Sequence, residues 1–188
     1  MRRALVLLVT LMLLSGCTGK KAATPTPRPT PGIEGVQTYS GLSQRHLTKG
    51  QYDISYPQSP PVGGAHSPVW LQCKAYTQEL PKVNAVHSLE HGAVWITYLP
   101  STPAATVATL DDYVGTNREY VMVSPYEGQD SPIIVTAWGA QLKLTSATDP
   151  RLLQFIQAYA GHGPETGVTC ASSGATLEQA VQYDQSQQ

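Results

Sequence analysis

The stretch Val86-His87-Ser88-Leu89-Glu90-His91-Gly92-Ala93-Val94-Trp95-Ile96-Thr97-Tyr98 carries both the architecture and the chemistry of this chain. Its second half, Ala93 to Tyr98, is β-branched and aromatic and reads as a strand. Its first half sets two histidines four residues apart. Residues at that spacing share a face in either regular conformation. On a helical turn their Cβ atoms lie about 5–6 Å apart; on a strand four residues span about 13 Å. Only the turn lets both imidazoles reach one ion. Gly92 is a suitable stop for such a turn before the strand begins.

Downstream the pattern stays regular. Thr102 and Pro103 read as an N-cap and first helical residue. Ala104, Val107, Leu110 and Val114 follow at helical spacing, and Gly115 closes the helix. Tyr120 to Ser124 reads as a strand, and Ile133 to Trp138 as another, with Gln141 to Thr145 continuing it past Gly139. Asp149-Pro150 opens a second helix carrying Leu152, Leu153, Phe155, Ile156 and Tyr159 and ending at Gly161. A short terminal helix runs from Thr176 to about Tyr183. Upstream, Ile33 to Asn84 is irregular. Tyr56-Pro57-Gln58-Ser59-Pro60-Pro61-Val62-Gly63-Gly64 is a long loop, because its prolines lack N–H donors and its glycines are permissive. The expected fold is α+β: a small, mostly antiparallel or mixed sheet with two helices over one face, behind a long irregular N-terminal half. A thioredoxin-like arrangement is the alternative topology.

The N-terminus reads as an address. Arg2 and Arg3 precede an apolar run from Ala4 to Leu14, too short for a helix that must cross about 30 Å of hydrocarbon. Leu14-Ser15-Gly16-Cys17 then resembles the lipobox of bacterial lipoproteins, which implies a diacylglyceryl thioether on Cys17 and cleavage before it. Residues 1–16 are therefore a lipoprotein signal peptide. Residues 17–32 are the lipidated cysteine and a Thr/Pro linker, with Pro25, Pro27, Pro29 and Pro31 at every second position. Such a segment is extended and semi-rigid. Residues 33–188 form a single globular domain, tethered to the cell membrane on its extracytoplasmic side.

That domain carries seven basic side chains against thirteen acidic ones, a net of −6 with histidine neutral. No basic stripe exists, so nucleic acid is disfavoured as a partner. Charged residues are 13% of the whole chain, about half the usual share, which excludes charge-driven disorder for its bulk. Cys73 and Cys170 remain once Cys17 is set aside, in a compartment that permits disulfides. A bridge between them closes a loop of about 100 residues and contributes about 4–5 kcal/mol in the chain-entropy model. Neither cysteine has a CxxC partner, which weakens a thiolate metal site or a redox pair.

Four histidines are candidate metal ligands: His46, His66, His87 and His91. Neutral imidazole suits copper, zinc, iron and nickel. Outside the cytoplasm copper is favoured, with zinc as the alternative. Met122 is the one methionine after the leader, so a Met-rich Cu(I) site is excluded. Glu90 is read as an orienting partner behind a histidine. The competing reading is that His87 and His91 simply hydrogen-bond within a polar core.

The segments Tyr56 to His66, Val69-Trp70 with Cys73, Ala85 to Tyr98, Val123-Ser124-Pro125-Tyr126 and Ala137-Trp138-Gly139 together resemble the bacterial domain-of-unknown-function family numbered thirty-one hundred and five. The resemblance covers Tyr39 to Cys170. It implies a secreted or membrane-tethered protein, histidines at 46, 66, 87 and 91, and paired cysteines at 73 and 170. It names no substrate.

Three functions are in play. The first is a lipid-anchored copper- or zinc-binding protein without catalysis. The second is a zinc hydrolase, since His87-Ser88-Leu89-Glu90-His91 matches the H-x-x-E-H pattern, with Glu90 as general base and a downstream carboxylate such as Glu165 as third ligand. The third is a cell-surface interaction module using exposed Tyr and Trp of the 39–76 region.

Overall fold

The computed structural model describes residues 32–117 and 119–188. The expected signal peptide, the expected lipidation site at Cys17 and the expected linker, save Gly32, lie outside these residues.

The strands are β1 (Gln37–Thr38), β2 (Val94–Tyr98), β3 (Val121–Pro125), β4 (Ile133–Ala137) and β5 (Ala140–Leu144). They form one mixed sheet in the order β1-β5-β4-β2-β3. β2 is central, parallel to β3 and antiparallel to β4. The helices are α1 (Lys82–Glu90), α2 (Ala104–Thr116), α3 (Pro150–Tyr159), α4 (Cys170–Ser173) and α5 (Leu177–Ser186). None is long and apolar enough to cross a membrane.

β2, β3 and β4 are buried on both faces, and the period of two sorts their side chains between two cores. Val94, Ile96, Tyr98, Val121, Val123 and Val135 pack with Leu110 of α2 and Leu152, Phe155 and Ile156 of α3. This is the expected pair of helices on one face. On the other face Trp95 and Met122 pack with Ala85 and Leu89 of α1, and with Leu71, Tyr76 and Leu80 from the irregular segment. The sheet is therefore covered twice, and its second cover is mostly loop.

Three details differ from the sequence reading. Pro103 is the cap of α2 rather than its first residue, because its ψ of 142° is extended. The residues after Gly139 do not prolong β4 but return as β5, with Ala137 opposite Ala140 across the two-residue turn Trp138-Gly139. Gly139, with φ +70°, supplies the conformation that this turn requires. α5 runs three residues past Tyr183, started by a capping box between Thr176 and Gln179. Asp149 caps α3 as expected, accepting from the Arg151 N–H, with Pro150 at the first position. The parallel β2-α2-β3 unit is a feature of the thioredoxin-like alternative, but residues 126–132 join β3 to β4 without a helix.

Without regular structure, the irregular half is held by long-range pairings. A Cys73–Cys170 disulfide, with Cα atoms 5.0 Å apart, ties it to α4. Isolated bridges pair His46 with His66, Leu71 with Ala175 and Ala75 with Val123. α5 and its C-cap residue add two more ties: Ser67 Oγ donates to Asp184 Oδ1 at 2.8 Å, and the Gly50 N–H donates to the Gln187 carbonyl at 2.7 Å.

Candidate metal centre

α1 begins after Pro81 and is buried from Asn84 to Glu90. Its apolar side, Ala85, Val86 and Leu89, belongs to the core, so its polar side must find internal partners. It finds them on the backbone of residues 67–71. Asn84 Nδ2 donates to the Val69 carbonyl at 2.8 Å, and Ser88 Oγ accepts from the Leu71 N–H at 2.9 Å. His87 Nδ1 donates to the Ser67 carbonyl at 2.7 Å. A segment with no secondary structure is thus fixed by one helix face, and it carries His66 to the end of α1.

His66 is itself pinned. Its Nδ1 donates to the Gly64 carbonyl at 2.7 Å. Its backbone pairs with the His46 segment: the Leu47 N–H donates to the His66 carbonyl at 2.7 Å, and the His66 N–H to the Arg45 carbonyl at 3.1 Å. His46 and His66 therefore stand opposite one another, with ring centroids 5.0 Å apart. His87 lies 4.8 Å from each ring.

One ligating atom each from His46, His66, His87 and Glu90 lies within 4.8 Å of all the others. Because Nδ1 of His66 and of His87 is spent on a carbonyl, the lone pair of each ring sits on Nε2; that of His66 is bare, and that of His87 accepts from His91 Nε2 at 3.0 Å, a bond that an ion would displace. An Nδ1 held by a carbonyl is the arrangement that metal-ligating histidines adopt. Burial, reinforced by the neighbouring His66 and His91, lowers His87 to about 3, which keeps it neutral. His66 Nε2 and Glu90 Oε2 are 2.9 Å apart, yet no aligned hydrogen bond joins them; each is a buried polar atom without a partner. Leaving a buried polar group unsatisfied costs about 1–3 kcal/mol. A cation between them removes that cost for both. Three imidazoles and one carboxylate make a donor set that fits a borderline divalent ion.

The walls are aromatic. The Trp138 ring meets His66 edge-on at 5.9 Å. Trp70 lies 5.1 Å from His87 and 4.6 Å from His91. The mouth is at His46, whose side chain is 47% exposed while that of Glu90 is 2% exposed.

Two expectations change places here. Glu90, read as an orienting partner, contributes a converging oxygen. His91, read as a ligand, stands outside the group of four as the C-cap residue of α1. The helical phase decides this: Glu90 is three residues from His87 and His91 four. His91 Nε2 instead donates to His87 Nε2 at 3.0 Å, and the two rings stack. Burial lowers the pKa of His91, opposed by Glu165 and Glu90. The H-x-x-E-H assignment needs His87 and His91 as the ligands and Glu90 as a free base, whereas the converging group includes Glu90 and omits His91. Glu165 bonds through its N–H to the Glu90 carbonyl, 3.1 Å away, and is no part of the group. Of the aromatics in the 39–76 region, Tyr39, Tyr52, Tyr56 and Trp70 are half-buried and Tyr76 is buried.

The sequence reading missed the carbonyls of Gly64 and Ser67, the tryptophan walls and Asp184. The Gly63-Gly64 pair just before His66 was the available signal for the first of these, since it brings backbone close to the ring.

A family model described as a protein of unknown function, DUF3105, matches residues 46–172. The chain belongs to the DUF3105 family. The matched segment opens on His46 and takes in His66, His87, Glu90 and both bridged cysteines, so the resemblance read from the motifs holds. α5 and Asp184 lie beyond it. No curated protein and no solved structure matches the chain.

Proposed function

We propose that this DUF3105 protein binds a divalent transition-metal ion at His46, His66, His87 and Glu90, and that it does so as a lipid-anchored protein outside the cytoplasm, without catalysis. One observation carries the metal reading. Four potential ligand atoms from three separate stretches of chain converge within 4.8 Å, and two of them are buried and unpartnered. The group has no thiolate or thioether, which disfavours Cu(I). Among the borderline ions, copper(II) is bound most tightly by such nitrogen and oxygen donors, and zinc(II) is the alternative. The lipobox at Cys17 supports the location.

The test is elemental analysis of the untagged, full-length protein, followed by calorimetric titration of the EDTA-stripped form with Cu(II) and Zn(II). One equivalent of metal, lost in His66→Ala, supports the reading. A protein that is purified metal-free and ignores both ions overturns it. Radiolabelled fatty acid incorporation that disappears in Cys17→Ala tests the anchor.

A further inference from the structure

The four ligands are not held alike. His66 and His87 each have the second ring nitrogen fixed by a backbone carbonyl at 2.7 Å. Both are buried, as is Glu90. His46 is exposed, and its ring makes no hydrogen bond to the described residues; its one polar approach is Nε2 to Glu90 Oε2 at 3.9 Å. Its backbone is fixed through the bridge to His66, and its ring is held only by contact with the His66 and His87 rings. The loop around it is stapled to itself rather than to the ring, with Arg45 Nη1 donating to Gln51 Oε1 at 2.6 Å and the Thr48 N–H donating to the same oxygen at 3.1 Å. A ring held by two backbone anchors loses little freedom on binding an ion; a free ring must be ordered at that moment.

Resting on the metal reading above, we propose that the site is built for exchange: His66, His87 and Glu90 form a fixed pedestal, and His46 is a releasable fourth ligand through which the ion enters and is handed on. The acceptor class is an imidazole, amine or carboxylate donor, on a small chelator or on another metal-binding protein. The step is a ligand substitution with no change of oxidation state. The bond from the ion to His46 Nε2 breaks, the nitrogen keeps its lone pair, and the incoming donor's lone pair forms the new bond. Tryptophan and helix wall in the pedestal, so the incoming donor approaches on the His46 side.

The experiment compares unaltered protein, His46→Ala and His66→Ala, each full length and loaded with Cu(II) alone. It measures stoichiometry after desalting, and the rate of transfer to a chromophoric chelator by stopped flow. The expected result is that His46→Ala still loads one equivalent of copper, holds it more weakly and transfers it at least about 10-fold faster, about 1.4 kcal/mol off the exchange barrier, while His66→Ala keeps none. His46 is exposed, so its replacement leaves the fold intact, and circular dichroism checks this. Loss of stoichiometric copper in His46→Ala, or transfer at the unaltered rate, overturns the exchange role but leaves the metal reading standing. Absence of copper from the unaltered protein overturns both.

Discussion

At the scale of single residues, Glu90 separates two physical roles. A carboxylate that merely orients a histidine changes metal affinity by about 10–100-fold when removed. A ligand removes a bond and a charge. Glu90→Gln keeps the shape of the side chain, so the expected loss of Cu(II) or Zn(II) affinity exceeds about 100-fold, the upper end for an orienting partner. Competition titration against a chelator of known affinity checks it. His87 gives a pH prediction for the metal-free protein. Its folded pKa is depressed to about 3 from 6.5, chiefly by burial. Between those values the unfolded chain binds a proton that the folded chain refuses, so stability falls as pH drops. The slope for one such group is about 1.4 kcal/mol per pH unit. His91 is shifted the same way, by burial, and adds to the loss. Urea unfolding in EDTA at pH 7.5 and pH 5 should show a lower midpoint at pH 5.

At the scale of elements, the end of α1 is set by backbone against backbone. Gly92, with φ +89°, breaks the helix, and the Gly161 N–H donates to its carbonyl at 2.9 Å. A Cβ at Gly92 would meet the Gly161 carbonyl carbon at 2.7 Å, and one at Gly163 would collide with the Glu90 carbonyl oxygen. Gly163→Ala should therefore cost about 1–3 kcal/mol or more as overpacking, and thermal unfolding should register it as a lower Tm. It should also weaken metal binding, because the displaced backbone is that of Glu90. This scale also divides what was legible in the sequence from what was not. β2, β4 and α3 were readable because their side chains repeat with the period of their own backbone, and Asp149-Pro150 marks a start that needs no tertiary help. The placement of His46 against His66 was not readable. It depends on two hydrogen bonds, from Leu47 to His66 and from His66 to Arg45, and an isolated bridge leaves no periodic trace. The exchange of roles between Glu90 and His91 was hidden for another reason: both lie on the His87 side of a helical turn, and only the full phase of α1 distinguishes them.

At the scale of the whole molecule, the Cys73–Cys170 bridge spans 97 residues. It closes the irregular half against α4, and neither cysteine belongs to the group of four converging ligands. Replacing both cysteines with serine should cost about 4–5 kcal/mol by the loop-entropy relation, read as a drop in urea midpoint. Metal stoichiometry should persist wherever the variant stays folded. Metal itself should act in the opposite direction. At a free ion concentration of about 100 times Kd the folded state gains about 2.7 kcal/mol, which for a domain of this size raises Tm by about 5–10 °C. Differential scanning fluorimetry with and without EDTA measures it.

The seating of Ser67 by Asp184 and of Gly50 by Gln187 also has a consequence for biogenesis. A ribosome delivers the loop bearing His46 and His66 early, and Asp184 of the helix that clasps it follows Ser67 by 117 residues. Until α5 has emerged, no finished cradle awaits an ion. Nascent chains halted before α5 should therefore capture metal poorly, and maturation of the centre waits on that helix.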